Sequence, residues 1–243
     1  MKVSVCIATY NGEKYLKEQI DSILAQISLD DEVIIVDDCS SDSSIEILEG
    51  YKDSRIKIFK NKINRSHVYS FGKAISLANN ELVFMSDQDD LWVKGRLDLM
   101  KTALLESGKL MLSSNSAFID EKGAPKDFYL DGVKSEDSSR FNKNILAIFA
   151  GKTNYYGCAM AYRKELNQII LPIPDYVESH DLWIAMAGNL LKSNLHIDTQ
   201  TLFRRIHGNN ASVLSRTLKE KLYSRLIFAR SYFEITSRIK KQK

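Results

Sequence analysis

Three carboxylates follow directly on an apolar run in the stretch Leu82-Val83-Phe84-Met85-Ser86-Asp87-Gln88-Asp89-Asp90-Leu91-Trp92. Like charges this close repel one another and shift one another's pKa values. A divalent cation with oxygen ligands is the natural counter-charge for such a cluster. The alternative is a solvated turn, but a turn requires neither this density of acids nor Trp92 behind it. The stretch therefore predicts a metal site at the end of a buried strand.

The length and composition are those of one folded domain, or of one domain with an appendage. Of the 243 residues, 44% are hydrophobic and 27% are charged. Three cysteines, Cys6, Cys39 and Cys158, are far apart and lack metal-ligand spacing, so we expect reduced thiols. The sequence contains neither a recognisable signal peptide nor an apolar run of about 20 residues. We therefore expect a cytoplasmic protein, or one at the cytoplasmic face of the inner membrane.

Charge is distributed unevenly along the chain. The last 28 residues, 216–243, carry nine Lys or Arg and two Glu, which gives this segment +7 and leaves −4 for the rest of a chain of net charge +3. Apolar residues at helical spacing run through the same segment, so residues 213–243 are predicted to form a basic amphipathic helical tail. The tail either packs on the domain or on another subunit, or lies on a membrane surface. The acidic body argues against nucleic-acid binding as the function of the protein.

The first half alternates strands and helices. Strands are expected at 3–8, 32–36, 55–59 and 82–86, with a helix between each pair. This order predicts parallel strands with right-handed crossovers, and therefore an α/β fold. Ligands of such sheets bind beyond the carboxyl ends of the strands, where residues 9–11, 37–38 and 87–90 would converge. Gly-rich phosphate loops are absent from the sequence, so a bound nucleotide would need a metal at its phosphates.

The second half is less regular. We expect a polar surface excursion over 120–140 and a helix that begins at His180-Asp181-Leu182-Trp183. Other elements are predicted as a helix at 94–107, a strand at 111–114, a loop and strand over 154–162, and short strands at 195–197 and 201–204. The predicted organisation is one domain over 1–212, with halves at about 1–115 and 116–212, followed by the tail.

Four motifs occur in an order that resembles a known family. They are Ser4-Val5-Cys6-Ile7-Ala8-Thr9-Tyr10-Asn11-Gly12, Val36-Asp37-Asp38-Cys39-Ser40-Ser41-Asp42, Ser86-Asp87-Gln88-Asp89-Asp90-Leu91-Trp92 and His180-Asp181-Leu182-Trp183. Together they resemble family 2 glycosyltransferases of the GT-A fold, over about residues 1–212. The spacing Arg205-x-His207-x-x-Asn210-x-Ser212 also resembles a loop of these enzymes. The implied fold is a mixed, mainly parallel sheet flanked by helices. The resemblance implies that 1–212 is a catalytic domain, with a nucleotide-sugar half at about 1–115 and an acceptor half at about 116–212.

The resemblance assigns nucleotide-binding roles to the first strand ends. It implies that Thr9, Tyr10 and Asn11 line the nucleotide pocket. It implies that Asp38 accepts a hydrogen bond from the pyrimidine N3–H, and that Asp87 reaches the ribose or the metal. From the residues alone, Asp37 and Asp38 are equally compatible with capping the helix that follows them.

The metal and the general base are implied in the same way. Asp89 would be the principal ligand of Mn²⁺ or Mg²⁺, with Asp87 as the second metal ligand. Asp181 would be the general base, with Glu178 as the alternative. His180 stands where relatives commonly have an acid. Further donor or acceptor contacts are expected from Asp90, Gly157, His180, Trp183, Arg205 and His207.

The implied activity is inverting, metal-dependent glycosyl transfer. The donor would be a UDP- or dTDP-activated sugar, and the acceptor a hydroxyl of a lipid-linked bacterial surface polysaccharide. The enzymes that the chain resembles act in O-antigen or capsule assembly and include rhamnosyltransferase-like members. Two alternatives stay open: a sugar nucleotidyltransferase, and a non-catalytic metal- or nucleotide-binding partner in a polysaccharide assembly complex. The sequence leaves the oligomeric state open.

Overall fold

The computed structural model describes residues 1–152, 155–208 and 217–242. Within them, eight strands form one sheet: β1 (Val3–Thr9), β2 (Glu32–Asp37), β3 (Ile56–Lys60), β4 (Leu82–Ser86), β5 (Leu91–Trp92), β6 (Met111–Ile119), β7 (Met160–Arg163) and β8 (Asn194–Arg205). The helices are α1 (Leu16–Leu24), α2 (Ser44–Gly50), α3 (Ser66–Leu77), α4 (Arg96–Ser107), α5 (Phe141–Ala150), α6 (Asn167–Ile170), α7 (His180–Leu190) and α8 (Leu218–Lys240).

The strand order is β3-β2-β1-β4-β7-β6-β8-β5. Strands β1 to β4 pair in parallel, as the alternating first half predicted. Strand β7 is antiparallel to both β4 and β6, and β6 pairs in parallel with β8. As a result, β7 begins at the same edge of the sheet at which β1, β2, β4, β6 and β8 end. This mixed topology determines which loops meet at the site.

Helices cover both faces of the sheet. Alternate residues of β1 point to opposite faces, so Val5 and Ile7 pack with α1 and α4 while Cys6 packs with α3 and α7. Strands buried on both faces have near-continuous apolar sequences, which is why β1, β2 and β4 were evident from the sequence. The predicted mainly parallel α/β sheet is confirmed.

Several element boundaries differ from the sequence-based expectation. The predicted short strands at 195–197 and 201–204 are one strand, β8, whose exposed polar middle interrupts the apolar pattern. Strand β6 continues to Ile119 because its partner β8 extends with it. Strand β5 was not predicted, since two residues that pair with Leu202 and Phe203 carry no local signal.

The C-terminal helix α8 is present, as predicted. Its second half is anchored on the domain, where Ile235 is fully buried and packs into the core with Phe228, Tyr232 and Ile239 beside it. The predicted boundary between the catalytic domain and the tail, at 212/213, lies outside the described residues. No helix in the described part of the chain combines the length and the apolar content needed to cross a bilayer.

Glu32 is a buried carboxylate that ties three parts of the sheet together. It accepts hydrogen bonds from the Ser4 hydroxyl (2.6 Å), the Asn79 backbone N–H (2.7 Å) and the Lys57 ammonium (2.6 Å). Burial opposes its ionisation, but these donors outweigh burial and lower the pKa of Glu32 to about 2. Its contribution to stability is therefore fully present above about pH 4.5 and is lost as the pH falls toward 2.

We predict that Glu32→Gln lowers the free energy of unfolding by about 2 kcal/mol at pH 7. The reason is that the three donors then lose the charged carboxylate that accepts their hydrogen bonds. The difference between wild type and variant should shrink between about pH 4.5 and pH 2. Urea unfolding at several pH values measures it. Glu46→Gln, at an exposed position of α2, is the matched control and should change little. A deficit that is independent of pH would contradict the role given to the charge.

Candidate active site

Polar loops converge at the edge where most strands end. Thr9 is the last residue of β1, and Asp38 and Asp87 directly follow β2 and β4. Because β7 runs in the opposite direction, the residues before it, Gly157–Ala159, lie at the same edge. Strand β8 ends there too and delivers Arg205 and then His207. The topology thus assembles residues that are up to 200 positions apart in the sequence.

Asp37 and Asp38 have different surroundings. Asp37 accepts hydrogen bonds from the backbone N–H groups of Cys39 (3.1 Å) and Ser40 (3.0 Å), so it stabilises its own loop. Asp38 instead receives the Asn61 side-chain amide (2.8 Å) and the Arg65 N–H (2.9 Å), both on one carboxylate oxygen, Oδ1. Asp38 is therefore a buried carboxylate held in one orientation at the start of α3.

Gln88 joins the loop after β4 to the loop after β1. Its Oε1 accepts from the Thr9 hydroxyl (2.7 Å) and the Tyr10 N–H (2.9 Å), while its Nε2 donates to the Tyr10 carbonyl (3.2 Å). A Cβ at Gly12 would lie 2.6 Å from the same Oε1. The residue between the acids is thus a clamp. It leaves the Tyr10 side chain exposed at the edge of the site.

Asn11 links the first two loops. Its side-chain oxygen accepts from the Ser41 N–H (2.8 Å), and its own N–H donates to the Ser40 hydroxyl (2.9 Å). Its backbone has a φ of 48°, a left-handed conformation that asparagine tolerates better than most residues. The contacts of Asn11 are therefore those of a residue that shapes the pocket.

Asp87, Asp90 and Cys158 form the most crowded cluster of the site. One ligand atom from each lies within 4.8 Å of those of the other two. Burial, reinforced by repulsion from Asp89, raises the pKa of both Asp87 and Asp90, and the Arg204 guanidinium acts against this rise. The Asp90 Oδ1 accepts from the Arg205 N–H (3.1 Å), whereas its buried Oδ2 has no hydrogen-bond partner among the described residues.

Asp89, which adjoins that cluster, contacts a histidine. Its Oδ2 lies 2.7 Å from the His207 Nε2, and the His207 ring packs against the Tyr15 ring at 5.0 Å. The buried Arg205 donates to the Asp89 carbonyl (3.0 Å) and pairs with Glu18 (2.7 Å). Arg205 therefore holds the acidic loop through its backbone, and Asp89 and His207 present a carboxylate and an imidazole side by side.

Asp181 lies in the first turn of α7, beside the residue that precedes Cys158 of the acidic cluster. Its Oδ1 accepts the Leu182 N–H (2.8 Å) and is in contact with the Ser179 hydroxyl of the N-cap. Burial is the main cause of the raised pKa of Asp87, and the negative charge of Asp181 adds a smaller contribution. A Cβ at Gly157 would lie 2.7 Å from the His180 Nε2 and 3.6 Å from the Asp181 Cβ. Gly157 therefore lets the chain before β7 pass close to the start of α7.

His180 and Trp183 are buried beside that turn. The His180 ring stacks on Phe71 at 4.2 Å, and neither ring nitrogen has a hydrogen-bond partner in the described part of the structure. Burial lowers the pKa of His180 to about 4, so the ring is neutral at pH 7. The Trp183 indole donates to the Ile170 carbonyl (2.9 Å) deep in the core. Trp183 thus packs, while His180 offers a polar ring that the protein leaves unsatisfied.

A family model described as glycosyl transferase family 2 matches residues 4–170. The chain belongs to this family. Its relatives include an uncharacterized glycosyltransferase of Methanocaldococcus jannaschii, 32% identical over 233 residues, which cover 91% of this chain and 76% of the relative. This family 2 glycosyltransferase is also 31% identical over 215 residues to Escherichia coli WfaP, a UDP-Glc:alpha-D-GlcNAc-diphosphoundecaprenol beta-1,3-glucosyltransferase, covering 86% of this chain and 79% of WfaP.

Other similarities are more distant. The Shigella flexneri dTDP-rhamnosyl transferase RfbG is 27% identical over 240 residues, which cover 93% of this chain and 79% of RfbG. Residues 1–349 of Staphylococcus aureus TarS, solved with UDP-GlcNAc, superpose with a TM-score of 0.71 at 21% identity, covering 95% of this chain and 66% of TarS. The family 2 glycosyltransferase therefore spans about two thirds of that solved chain. The predicted GT-A fold is confirmed.

Some residues of the glycosyltransferase site were not predicted from the sequence. The fully buried Gln19 of α1 donates to the Asp87 carbonyl (2.9 Å) and to the Ser86 hydroxyl, and so fixes the end of β4. The Arg204 guanidinium lies 3.9 Å from the Tyr156 ring centroid and acts on the charges of Asp87 and Asp90. Nothing local in the sequence marks these residues. The predicted Asn210 and Ser212 lie outside the described residues.

We predict that Gln88→Ala in this glycosyltransferase lowers the free energy of unfolding by about 1–2 kcal/mol, because three hydrogen bonds between two loops are lost. Affinity for UDP should fall about fivefold to tenfold, since the loop bearing Tyr10 is then free to move. Chemical unfolding and calorimetric titration with UDP measure the two effects. Gln168→Ala, at an exposed position, is the matched control. Unchanged UDP affinity in Gln88→Ala would show that the clamp does not shape the pocket.

Proposed function

We propose that this protein is a metal-dependent, inverting glycosyltransferase that moves a sugar from a UDP- or dTDP-activated donor to a hydroxyl of a lipid-linked surface glycan at the cytoplasmic face of the membrane. The observation that carries the proposal is the acidic cluster in which ligand atoms of Asp87, Asp90 and Cys158 lie within 4.8 Å of one another, with Gly157, the residue before Cys158, packed beside Asp181. Carboxylates on two sides of a cleft suit a donor on one side and a deprotonated acceptor hydroxyl on the other.

Asp38 is proposed to select a pyrimidine. Its carboxylate is oriented by Asn61 and Arg65, and a carboxylate acceptor complements the N3–H of uracil or thymine. Exposed Tyr10 is proposed to stack on the base, with Thr9 and Asn11 shaping the pocket around it. Two relatives, a glucosyltransferase named for UDP-Glc and a dTDP-rhamnosyl transferase, support a pyrimidine donor.

The donor atoms of the acidic edge fit a divalent cation. Three features indicate that added positive charge would stabilise this edge. The buried Oδ2 of Asp90 has no hydrogen-bond partner in the part of the chain that the structure describes, the pKa values of Asp87 and Asp90 are raised, and Asp89 lies beside His207. Carboxylate oxygens and imidazole nitrogens suit Mn²⁺, and carboxylates suit Mg²⁺. We propose Asp89 with His207 as principal ligands and Asp87 as a further ligand. When bound, the cation would stabilise the negative charge of the leaving diphosphate as a Lewis acid.

Asp181 is proposed as the general base. Hydrogen bonds to its Oδ1 orient the carboxylate, which then accepts the proton of the acceptor hydroxyl as that oxygen attacks the anomeric carbon. Such a base contributes roughly 10²–10⁴-fold to the rate. A single base with direct displacement inverts the anomeric configuration. Neutral His180, unsatisfied beside Asp181, is proposed to contact a sugar hydroxyl of the acceptor or donor.

We predict that Asp181→Asn lowers the rate of glycosyl transfer by about 10²–10⁴-fold, because an amide cannot accept the proton. UDP affinity should change less than threefold, since Asp181 is on α7 and the proposed contacts to the nucleotide base are at the ends of β1 and β2. Transfer from UDP- and dTDP-sugars and calorimetric titration with UDP measure the two quantities. Asp175→Asn, an exposed acid that precedes the same helix, is the matched control.

The outcomes also separate the alternatives. Unchanged transfer by Asp181→Asn would remove Asp181 as the base and bring Glu178 forward. UDP binding without transfer in the wild type, over a panel of lipid-linked acceptors, would favour the non-catalytic partner. Formation of a nucleotide-sugar from UTP or dTTP would favour a nucleotidyltransferase.

A further inference from the structure

The two halves of α8 have opposite surroundings. The second half is anchored by Ile235 and Ser231, which are buried against the domain. Four large apolar side chains of the same helix remain exposed: Leu218 at 85%, Leu222 at 66%, Leu226 at 64% and Phe233 at 71%. Isolated exposed apolar residues are ordinary, but a group of this kind on one helix marks an interaction surface.

The four side chains form one stripe. Successive positions are separated by four, four and seven residues, so a helix of 3.6 residues per turn places them on one side. That side is opposite to the one that carries Ser231 and Ile235. The apolar stripe (Leu218, Leu222, Leu226 and Phe233) is roughly 22 Å long at 1.5 Å per residue. The helix is therefore apolar on the outside as well as on the packed side.

Helix α5 extends this surface. The Phe149 ring lies 5.2 Å from the Phe228 ring of α8, and the Arg225 guanidinium lies 5.3 Å from Phe149. Leu146 and Phe149 are three residues apart on α5, therefore on one face, and both are exposed. Helix α5 thus presents two further exposed apolar side chains next to α8.

Cations flank the stripe. Within residues 218–230 there are four, Lys219, Lys221, Arg225 and Arg230, against one acid, Glu220. Glu220 is engaged in the capping box with Thr217 at the start of the helix. An exposed apolar stripe with basic residues along it has the chemistry of a helix that lies in the interface of an anionic bilayer.

We propose that the apolar stripe of α8, together with Leu146 and Phe149, docks on an anionic lipid bilayer. This inference rests on the proposed function, because it supplies the surface from which a lipid-linked acceptor reaches the site. A second copy of the chain is the poorer occupant, since it would bring the same four cations against one another. The stripe also presents on the order of 200–300 Å², well below the roughly 800 Å² per partner of a stable protein interface.

The docking surface is connected to the catalytic turn. The Ser224 hydroxyl, on the packed side of α8, donates to the Glu178 carboxylate (3.2 Å). Glu178 immediately precedes Ser179, the N-cap of the helix that carries Asp181. One helix diameter is about 10–12 Å, so the base is held on the order of 10–20 Å from the bilayer. A hydroxyl on a sugar joined to lipid through a diphosphate lies at such a height.

Vesicle sedimentation tests the proposal without any sugar donor. The wild-type protein should bind vesicles of phosphatidylcholine mixed with phosphatidylglycerol at least tenfold more than vesicles of phosphatidylcholine alone, and added salt should weaken binding. Leu222→Asn/Leu226→Asn should reduce partitioning roughly a hundredfold, because two apolar side chains no longer enter the bilayer. Leu29→Asn, at a leucine 89% exposed elsewhere, is the matched control and should bind like the wild type.

Two results would overturn the proposal. One is wild-type binding that is absent, or equal for neutral and anionic vesicles. The other is a wild-type dimer in sedimentation velocity that becomes a monomer in Leu222→Asn/Leu226→Asn, without vesicle binding in either form. The thermal unfolding midpoint confirms that the variants are folded, since the substituted side chains are exposed. Vesicle binding requires no turnover. The vesicle test therefore still decides whether the stripe docks on lipid if the proposed glycosyl transfer is not found.

Discussion

The crowding of Asp87, Asp89 and Asp90 at the end of a buried strand is the constraint on which the rest of the structure depends. Burial and mutual repulsion raise the pKa of Asp87 and Asp90, so ionising both carboxylates without a counter-charge costs free energy. The surrounding chain offsets part of that cost: Arg204 acts on the acids through its charge, Arg205 donates to the loop, and His207 contacts Asp89. A divalent cation would complete this partial neutralisation and would in turn attract an anionic diphosphate.

The sheet supplies these contacts through its reversed strand. Because β7 is antiparallel to β4, Gly157 and Cys158 lie beside the acids, and because β8 is parallel to β6, Arg205 and His207 end at the same edge. Asp181, in the first turn of α7, lies beside Gly157 at the same edge. In the proposed function, the first half would provide the nucleotide contacts, and the second half would provide Arg204, Arg205 and the base.

The sequence predicted the fold and the edge at which the polar loops meet well, and the contacts at that edge poorly. Strands β1, β2 and β4 are apolar on both faces and end in polar residues, so their order and the edge they form were readable. Gln88, between two acids, gave no sign of being the clamp on Thr9 and Tyr10, and Cys158 gave none of its proximity to Asp87. Such contacts depend on strand pairing over large sequence separations, which local patterns do not specify. The motif also does not reveal that the Trp183 indole donates to a backbone carbonyl in the core, whereas the His180 ring nitrogens have no hydrogen-bond partner within the described ranges of the chain.

The central claim is that the acidic edge binds a divalent cation and a pyrimidine diphosphate as one unit. Coupling between two ligands is reciprocal, so each should tighten the other by the same factor. Calorimetric titration with UDP, dTDP and GDP, each with and without Mn²⁺, measures this directly. The account predicts that Mn²⁺ tightens UDP and dTDP at least tenfold and that GDP binds more weakly. Equal UDP affinity with and without Mn²⁺, or a preference for GDP, would contradict it.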